Sequence, residues 1–99
     1  MIPVVGRIYR FTSRNLELGV CIKSDPEAQP EYSRYEFLGV REKFAYRYLS
    51  TEYGWNITED LGPLPEGIEP RESFPGRSHE GEPITMRNDI LFDYLEGLR

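Results

Sequence analysis

Cysteine and histidine are almost missing from this chain, which has one of each among its 99 residues, Cys21 and His79. A single cysteine excludes an internal disulfide framework and a cysteine-based zinc site, and a single histidine excludes the usual multi-histidine metal centres. Long apolar runs are missing too, since no stretch approaches the roughly 18 residues that a membrane-spanning helix needs. We therefore expect a cytoplasmic protein without cofactor, metal or membrane contact.

Basic residues are also few: the chain has 12 lysine and arginine residues and 17 aspartate and glutamate residues, which give a net charge of −5. This balance argues against a generic nucleic-acid binder, since phosphate backbones repel acidic proteins. The excess acid lies in one half: residues 1–50 hold eight basic and six acidic side chains, whereas residues 51–99 hold four and eleven. The two halves either neutralise each other in the fold or present an acidic functional face, and both interpretations stay open.

The first half of the chain shows the alternation typical of β-strands. Leu18, Val20 and Ile22 alternate with polar or small residues, which indicates a strand with one apolar face. Together with the β-branched and aromatic residues before it and the turn residues 13–15, this strand predicts a first hairpin. Residues 35–41 and 45–51 predict a second hairpin. Because that hairpin carries large side chains on both faces, we expect a helix, a loop or a partner to cover one of them.

The second half contains an irregular stretch followed by a helix. Nine residues between 60 and 83 are glycine or proline, so we expect an extended strap over 60–70 and mobility over 71–83 rather than regular structure. Its apolar anchors are Leu61, Leu64, Ile68 and Phe74. From 86 to 97 the apolar spacing predicts a helix with Thr85 as its N-cap. The apolar stripe of this helix comprises Met86, Ile90, Leu91, Tyr94, Leu95 and Leu98.

These elements predict a single α+β domain. Its antiparallel sheet has four to five strands, either open or closed as an SH3-like barrel, and one helix follows at the C-terminal end. Its parts are a β-rich module over 1–58, an acidic strap rich in proline and glycine over 59–83, and an amphipathic helix over 84–99. A helix this short is marginal alone in water, so we expect it to dock, preferentially on its own sheet.

No residue pattern in the chain predicts catalysis. Cys21 has no histidine near it in the sequence, and His79 lacks a second metal ligand at the usual spacing. Prolines occupy the stretch between Gly62 and Gly67 where a phosphate-binding loop needs amide donors. We therefore predict that the protein is not an enzyme.

Arginines interleave with aromatic residues on the predicted strands. Small barrels use such surfaces to stack bases and hold phosphates, and protein interfaces use the same residue types as anchors. Aromatic residues in a chain with few leucines and isoleucines also form the core, which is the favoured interpretation here. The residues assigned to the nucleic-acid alternative are Arg7, Arg10, Arg41, Lys43, Arg47, Tyr46 and Tyr48.

Four runs of residues carry a resemblance: SRNL at 13–16, GV at 19–20, FLGVREKF at 37–44 and RYLSTEY at 47–53. They resemble a pattern found in small bacteriophage and prophage proteins that have no assigned activity. That pattern has a histidine after the Tyr53 position, where this chain has Gly54, so no role of the histidine carries over. The resemblance implies a phage setting, in which short acidic proteins without catalytic motifs are typical of anti-defence factors, including anti-CRISPR proteins.

The leading hypothesis is a non-enzymatic phage accessory protein that binds and inhibits a host protein or ribonucleoprotein complex through an acidic surface. The acidic residues assigned to that surface are Glu59, Asp60, Glu66, Glu69, Glu72, Glu80 and Glu82. The alternative is a small-barrel nucleic-acid-binding module that uses the arginine and tyrosine set. A third hypothesis is a homodimer formed through the helical stripe or the second face of the sheet.

Overall fold

The computed structural model describes residues 1–14, 16–41, 46–68 and 89–99. These residues form the strands β1 (Arg7–Phe11), β2 (Leu18–Ser24), β3 (Tyr35–Arg41), β4 (Tyr46–Thr51) and β5 (Ile57–Pro63) and the helix α1 (Asp89–Gly97). Short 3₁₀ helices at Glu31–Ser33 and Gly54–Asn56 precede β3 and β5.

The strands pair antiparallel in one five-stranded sheet with the order β4-β3-β2-β1-β5. The two predicted hairpins are confirmed as β1–β2 and β3–β4. The predicted α+β class, an antiparallel sheet with one C-terminal helix, is confirmed as well. The sheet is open and not an SH3-like barrel, because β4 and β5 remain its two edges and no ladder joins them within the described residues.

The open sheet is nevertheless strongly coiled, as the connection between β4 and β5 requires. β4 ends at Thr51, opposite the start of β3, whereas β5 begins at Ile57, opposite the end of β1. In a flat sheet these points would be separated by four strand spacings, about 19 Å, and by the length of a strand. The connection includes a three-residue 3₁₀ helix, which rises only about 2 Å per residue, so it cannot span that distance. The two edges therefore approach each other at this connection.

Both faces of the sheet are covered by buried apolar side chains. Neighbouring residues of a strand point to opposite faces, so Ile8 and Tyr9 belong to different clusters, as do Leu38 and Phe37. The first cluster contains Ile8, Leu18, Val20, Leu38 and Val40 and, from the helix, Leu91, Phe92 and Leu95. The second contains Tyr9, Phe11, Leu16, Cys21, Tyr35, Phe37 and Ile57. Docking of the helix on its own sheet is thus confirmed, and four of the interleaved aromatic residues are core.

The predicted stripe of the helix is wrong at two positions. Leu91 and Leu95 are buried as predicted, but Ile90 is 71% exposed and Phe92, which the stripe left out, is fully buried. At about 100° per residue, Ile90 and Phe92 flank the line of Leu91 and Leu95 on either side. The helix buries the phenylalanine because its ring removes more apolar area from water. The predicted first turn, with Thr85 and Met86, lies outside the described residues.

The predicted irregular strap is also wrong at its start, because residues 60–63 belong to β5. The register of β5 against β1 shifts between Ile8, opposite Gly62, and Tyr9, opposite Asp60. Gly62 has a φ of +98°, which glycine adopts without strain, so this glycine forms a bulge rather than ending the strand. Leu61, Leu64 and Ile68 pack on the first cluster, as the predicted pinning requires. Phe74 and the predicted mobility of 71–83 lie outside the described residues.

Candidate binding cleft

The predicted acidic surface is partly neutralised within the fold. Asp60 accepts hydrogen bonds from Arg7, with Nε 3.0 Å from Oδ2, and Glu59 accepts one from Arg10, with Nε 3.2 Å from Oε1. The bond from Arg7, with a further bond from the amide of Gly62, lowers the pKa of Asp60 below its ordinary value. Glu66 lies exposed after β5. The other predicted contacts, Glu69, Glu72, Glu80 and Glu82, lie outside the described residues.

Of the predicted arginine and tyrosine surface, the structure describes the side chains of Arg7, Arg10 and Arg41. Arg7 and Arg10 lie on β1, three positions apart and hence on opposite faces, and each holds a carboxylate of β5. Arg41 ends β3 and is opposite Tyr46 in the ladder, two strands away from β1. The backbones of Arg47 and Tyr48 continue β4 opposite Val40 and Gly39, and Lys43 lies outside the described residues. Arg7 and Arg10 therefore do not share one face of the sheet.

The coiled sheet instead forms a cleft at the connection between β4 and β5. Its volume is about 470 Å³, and its lining residues are Thr12, Ser13, Arg14, Tyr32, Thr51, Glu52, Tyr53 and Asn56. Backbone hydrogen bonds fix the connection to the sheet on both sides. The amide of Thr12 donates to the carbonyl of Asn56 at 2.8 Å, and the amide of Glu52 donates to the carbonyl of Tyr35 at 3.3 Å. The cleft is thus assembled from three separate segments of the chain.

Glu52 is the buried charged residue of this cleft. Its exposed fraction is 4%, and its Oε1 makes no hydrogen bond within the part of the chain that the structure describes. A polar oxygen withdrawn from water without a hydrogen-bond partner carries a desolvation cost. Because Glu52 lines the cleft, a ligand that donates a hydrogen bond to its carboxylate would offset that cost.

Aromatic side chains stand at the rim of the cleft. The rings of Tyr53 and Trp55 are stacked, with centroids 4.3 Å apart and planes 7° from parallel. Trp55 is 66% exposed and Tyr32 is 58% exposed. Gly54 separates the stacked pair and packs against the carbonyl oxygen of Met1, so a side chain at this position would collide with backbone. An exposed tryptophan stacked on a tyrosine is typical of binding surfaces.

A second depression adjoins the first across Tyr53, which lines both. Its volume is about 280 Å³, and it is lined by Met1, Ile2, Glu31, Arg34, Tyr35, Tyr53, Gly54 and Trp55. Met1 and Ile2 are each more than half exposed. The stacked pair therefore stands between a polar cleft and a more apolar depression, which together form an elongated surface.

The free cysteine of the described residues, Cys21, lines neither the cleft nor the second depression. Cys21 is buried in the second cluster, and burial raises the pKa of its thiol to about 11, so the thiol is neutral at physiological pH. Its Sγ lies 3.2 Å from the carbonyl oxygen of Lys23. No three histidine, cysteine, aspartate or glutamate side chains among the described residues come together as metal ligands. His79 lies outside them.

The residues of the cleft were not among those predicted from the sequence. Tyr32 lies in a loop that shows no periodic pattern, and Glu52 looks like one of many surface glutamates. Their relation depends on the coiling of the sheet, which brings residue 52 close to the end of β1 and the start of β3. One local pattern in the sequence could have indicated the site: two aromatic residues, at 53 and 55, flank a glycine directly after a predicted strand.

Comparison with known protein families, with characterised proteins and with solved structures finds no significant match to this chain. Within the described ranges, no helix is both long enough and apolar enough to cross a membrane.

Proposed function

We propose that this chain is a non-catalytic protein-binding module whose contact surface is the cleft together with the Tyr53–Trp55 pair. The observation that carries the proposal is the exposure of Trp55, which is stacked on Tyr53 beside the cleft. Tryptophan and tyrosine dominate the binding energy of many protein interfaces, because their rigid rings bury a large area at a low entropic cost. A ring that is already stacked on its neighbour has less freedom to lose on binding.

The charges of the described residues favour a protein over a nucleic acid as the partner. Nucleic-acid binding draws its affinity from cationic side chains that neutralise phosphates. Arg7 and Arg10 already hold Asp60 and Glu59, and the chain as a whole carries a net charge of −5. A basic protein surface suits this balance better than a phosphate backbone.

The biological setting of such binding stays a prediction. The resemblance to phage proteins predicts that the partner is a host complex in the bacterial cytoplasm and that binding inhibits it, as anti-CRISPR proteins do. Of the described acidic residues assigned to that contact, Glu66 is the one outside the ion pairs between β1 and β5. The acidic surface therefore contributes to the proposal mainly through long-range attraction of a basic partner.

Affinity capture with two matched variants tests the proposal. The tagged chain is incubated with bacterial lysate, with and without nuclease, beside Trp55→Ala and Ile90→Ala. Both substitutions remove a large exposed side chain, but Ile90 lies on α1. We expect a protein that is retained after nuclease treatment, lost with Trp55→Ala and kept with Ile90→Ala. Equal capture by both variants would contradict the proposal, and retention that depends on nucleic acid would favour the alternative.

A further inference from the structure

We propose that the cleft accepts a cationic side chain of the partner, an arginine or a lysine, with the Glu52 carboxylate as its anchor. This inference rests on the proposed function and names the chemistry that the cleft would recognise. Glu52 lines the cleft, is 4% exposed, and has an oxygen without a hydrogen-bond partner in the described residues. A guanidinium or ammonium group supplies both the missing donor and the compensating charge.

The aromatic residues around Glu52 suit the same ligand. Tyr32 and Tyr53 both line the cleft, and the faces of aromatic rings attract cations, with arginine also stacking flat upon them. A carboxylate with aromatic neighbours thus recognises the charged end and the flat surface of one side chain. The terminal torsion of a glutamate has a broad energy well, so the Glu52 carboxylate turns toward the cleft at little cost.

The cleft is also large enough to take more than the cationic group. Its volume of about 470 Å³ lies within the range of roughly 300–1,000 Å³ that is usual for ligand sites. Backbone on either side of the cationic residue would extend toward Trp55 and the second depression. Arg14, which is exposed and also lines the cleft, provides donors for carbonyl groups of that segment. The occupant is therefore a segment of a protein chain.

Peptide titrations of the isotope-labelled chain, followed by nuclear magnetic resonance, test this inference. The probes are a blocked pentapeptide with a central arginine, its lysine counterpart, its citrulline counterpart, which is neutral but similar in shape, and a single-stranded oligonucleotide. We expect the arginine peptide or the lysine peptide to shift amide signals of residues 12–14 and 51–56. We expect the citrulline peptide to bind at least about tenfold more weakly, because a charge-assisted hydrogen bond is lost.

Two matched variants test whether the Glu52 carboxylate is the group that binds the cationic peptide. Glu52→Gln should weaken binding of the cationic peptide by about tenfold or more, whereas Glu27→Gln removes an exposed carboxylate that lines neither depression and should leave binding unchanged. The melting temperature of Glu52→Gln should equal or exceed that of the parent, because an amide costs less to bury than an unpaired carboxylate. Equal binding of arginine and citrulline peptides would overturn the inference. So would unchanged binding by Glu52→Gln, or oligonucleotide binding at the cleft in place of the peptides.

The comparison of arginine with citrulline uses the unaltered chain, so it decides the inference whatever the stability of the variants. Capture of the partner by Trp55→Ala and by Glu52→Gln distinguishes a failure of this inference from a failure of the proposed function. A partner lost with Trp55→Ala but kept with Glu52→Gln would leave the protein-binding function standing and remove the cationic anchor. A partner kept by both variants would remove both.

Discussion

At the scale of single residues, strands β2 and β3 approach each other closely where each has a glycine. Gly39 of β3 is opposite Gly19 of β2. A Cβ atom on Gly39 would collide with the carbonyl oxygen of Leu18 and would lie 2.8 Å from Leu16 Cδ2 and 2.9 Å from Gly19 Cα. We predict that Gly39→Ala lowers the free energy of unfolding by about 1–3 kcal/mol, since the strands must move apart. Urea denaturation measures this change.

Gly97 provides the matched control for that substitution. It ends α1, and a Cβ atom there would meet nothing within 4 Å. Alanine favours the helical conformation over glycine by up to about 1 kcal/mol, so Gly97→Ala should leave stability unchanged or raise it. Equal effects of the two substitutions would show that the close approach of β2 and β3 is not what requires glycine at position 39.

At the scale of elements, the orientation of α1 on the sheet can be tested by substituting one buried and one exposed side chain of the helix. Phe92 is fully buried in the first cluster, whereas Ile90, two positions earlier, is 71% exposed. We predict that Phe92→Ala lowers the free energy of unfolding by about 3–5 kcal/mol, because it leaves a cavity under the helix. Ile90→Ala should change it by less than about 0.5 kcal/mol. Denaturant unfolding of both variants decides the point, and a larger loss for Ile90→Ala would restore the predicted stripe.

The elements also show where prediction from the sequence succeeds. The first hairpin was predictable because strand residues alternate between the two faces of the sheet, so Leu18 and Val20, which both pack in the first cluster, recur with a period of two. β5 was missed because Gly62 and Pro63 are common in loops, although the first forms a bulge and the second ends the strand at the sheet's edge. The choice between Ile90 and Phe92 depends on packing against the sheet, which local spacing does not contain.

The cleft was not predictable for a related reason. Its residues come from positions near 13, 32 and 52, and they meet only because the sheet coils. Glu52 resembles any exposed glutamate in the sequence, and its burial follows from the hydrogen bond that holds its amide to the carbonyl of Tyr35. Such a site is determined by which strands pair across the chain, and no short sequence motif marks it.

At the scale of the whole molecule, the fold pairs opposite charges from the two halves of the chain. The first half has the more basic side chains and the second half the more acidic ones, and β5 lies beside β1 so that Arg7 meets Asp60 and Arg10 meets Glu59. The two open interpretations of the charge asymmetry are therefore not exclusive. Two acidic residues of the second half form ion pairs with arginines of the first half, and the excess of acidic over basic residues gives the chain its negative net charge.

This internal pairing predicts how the stability of the molecule responds to acid. The bond from Arg7 lowers the pKa of Asp60 in the folded chain below its ordinary value of 3.8. Between the lowered and the ordinary value, the unfolded chain binds more protons than the folded chain, so stability rises with pH. The contribution of Asp60 is therefore complete above its ordinary pKa and is lost as the pH falls through the folded value.

Asp60→Asn should accordingly flatten the decline in stability of the chain in acid. Urea midpoints measured from about pH 5 down to about pH 2 should fall less steeply for Asp60→Asn than for the parent, because asparagine does not titrate. Glu66→Gln, which removes an exposed carboxylate outside the ion pairs, should keep the parent slope. The same slope for all three proteins would mean that Arg7 does not stabilise the Asp60 carboxylate in solution. Asp60 would then be available to contact a basic partner, as the sequence alone predicts.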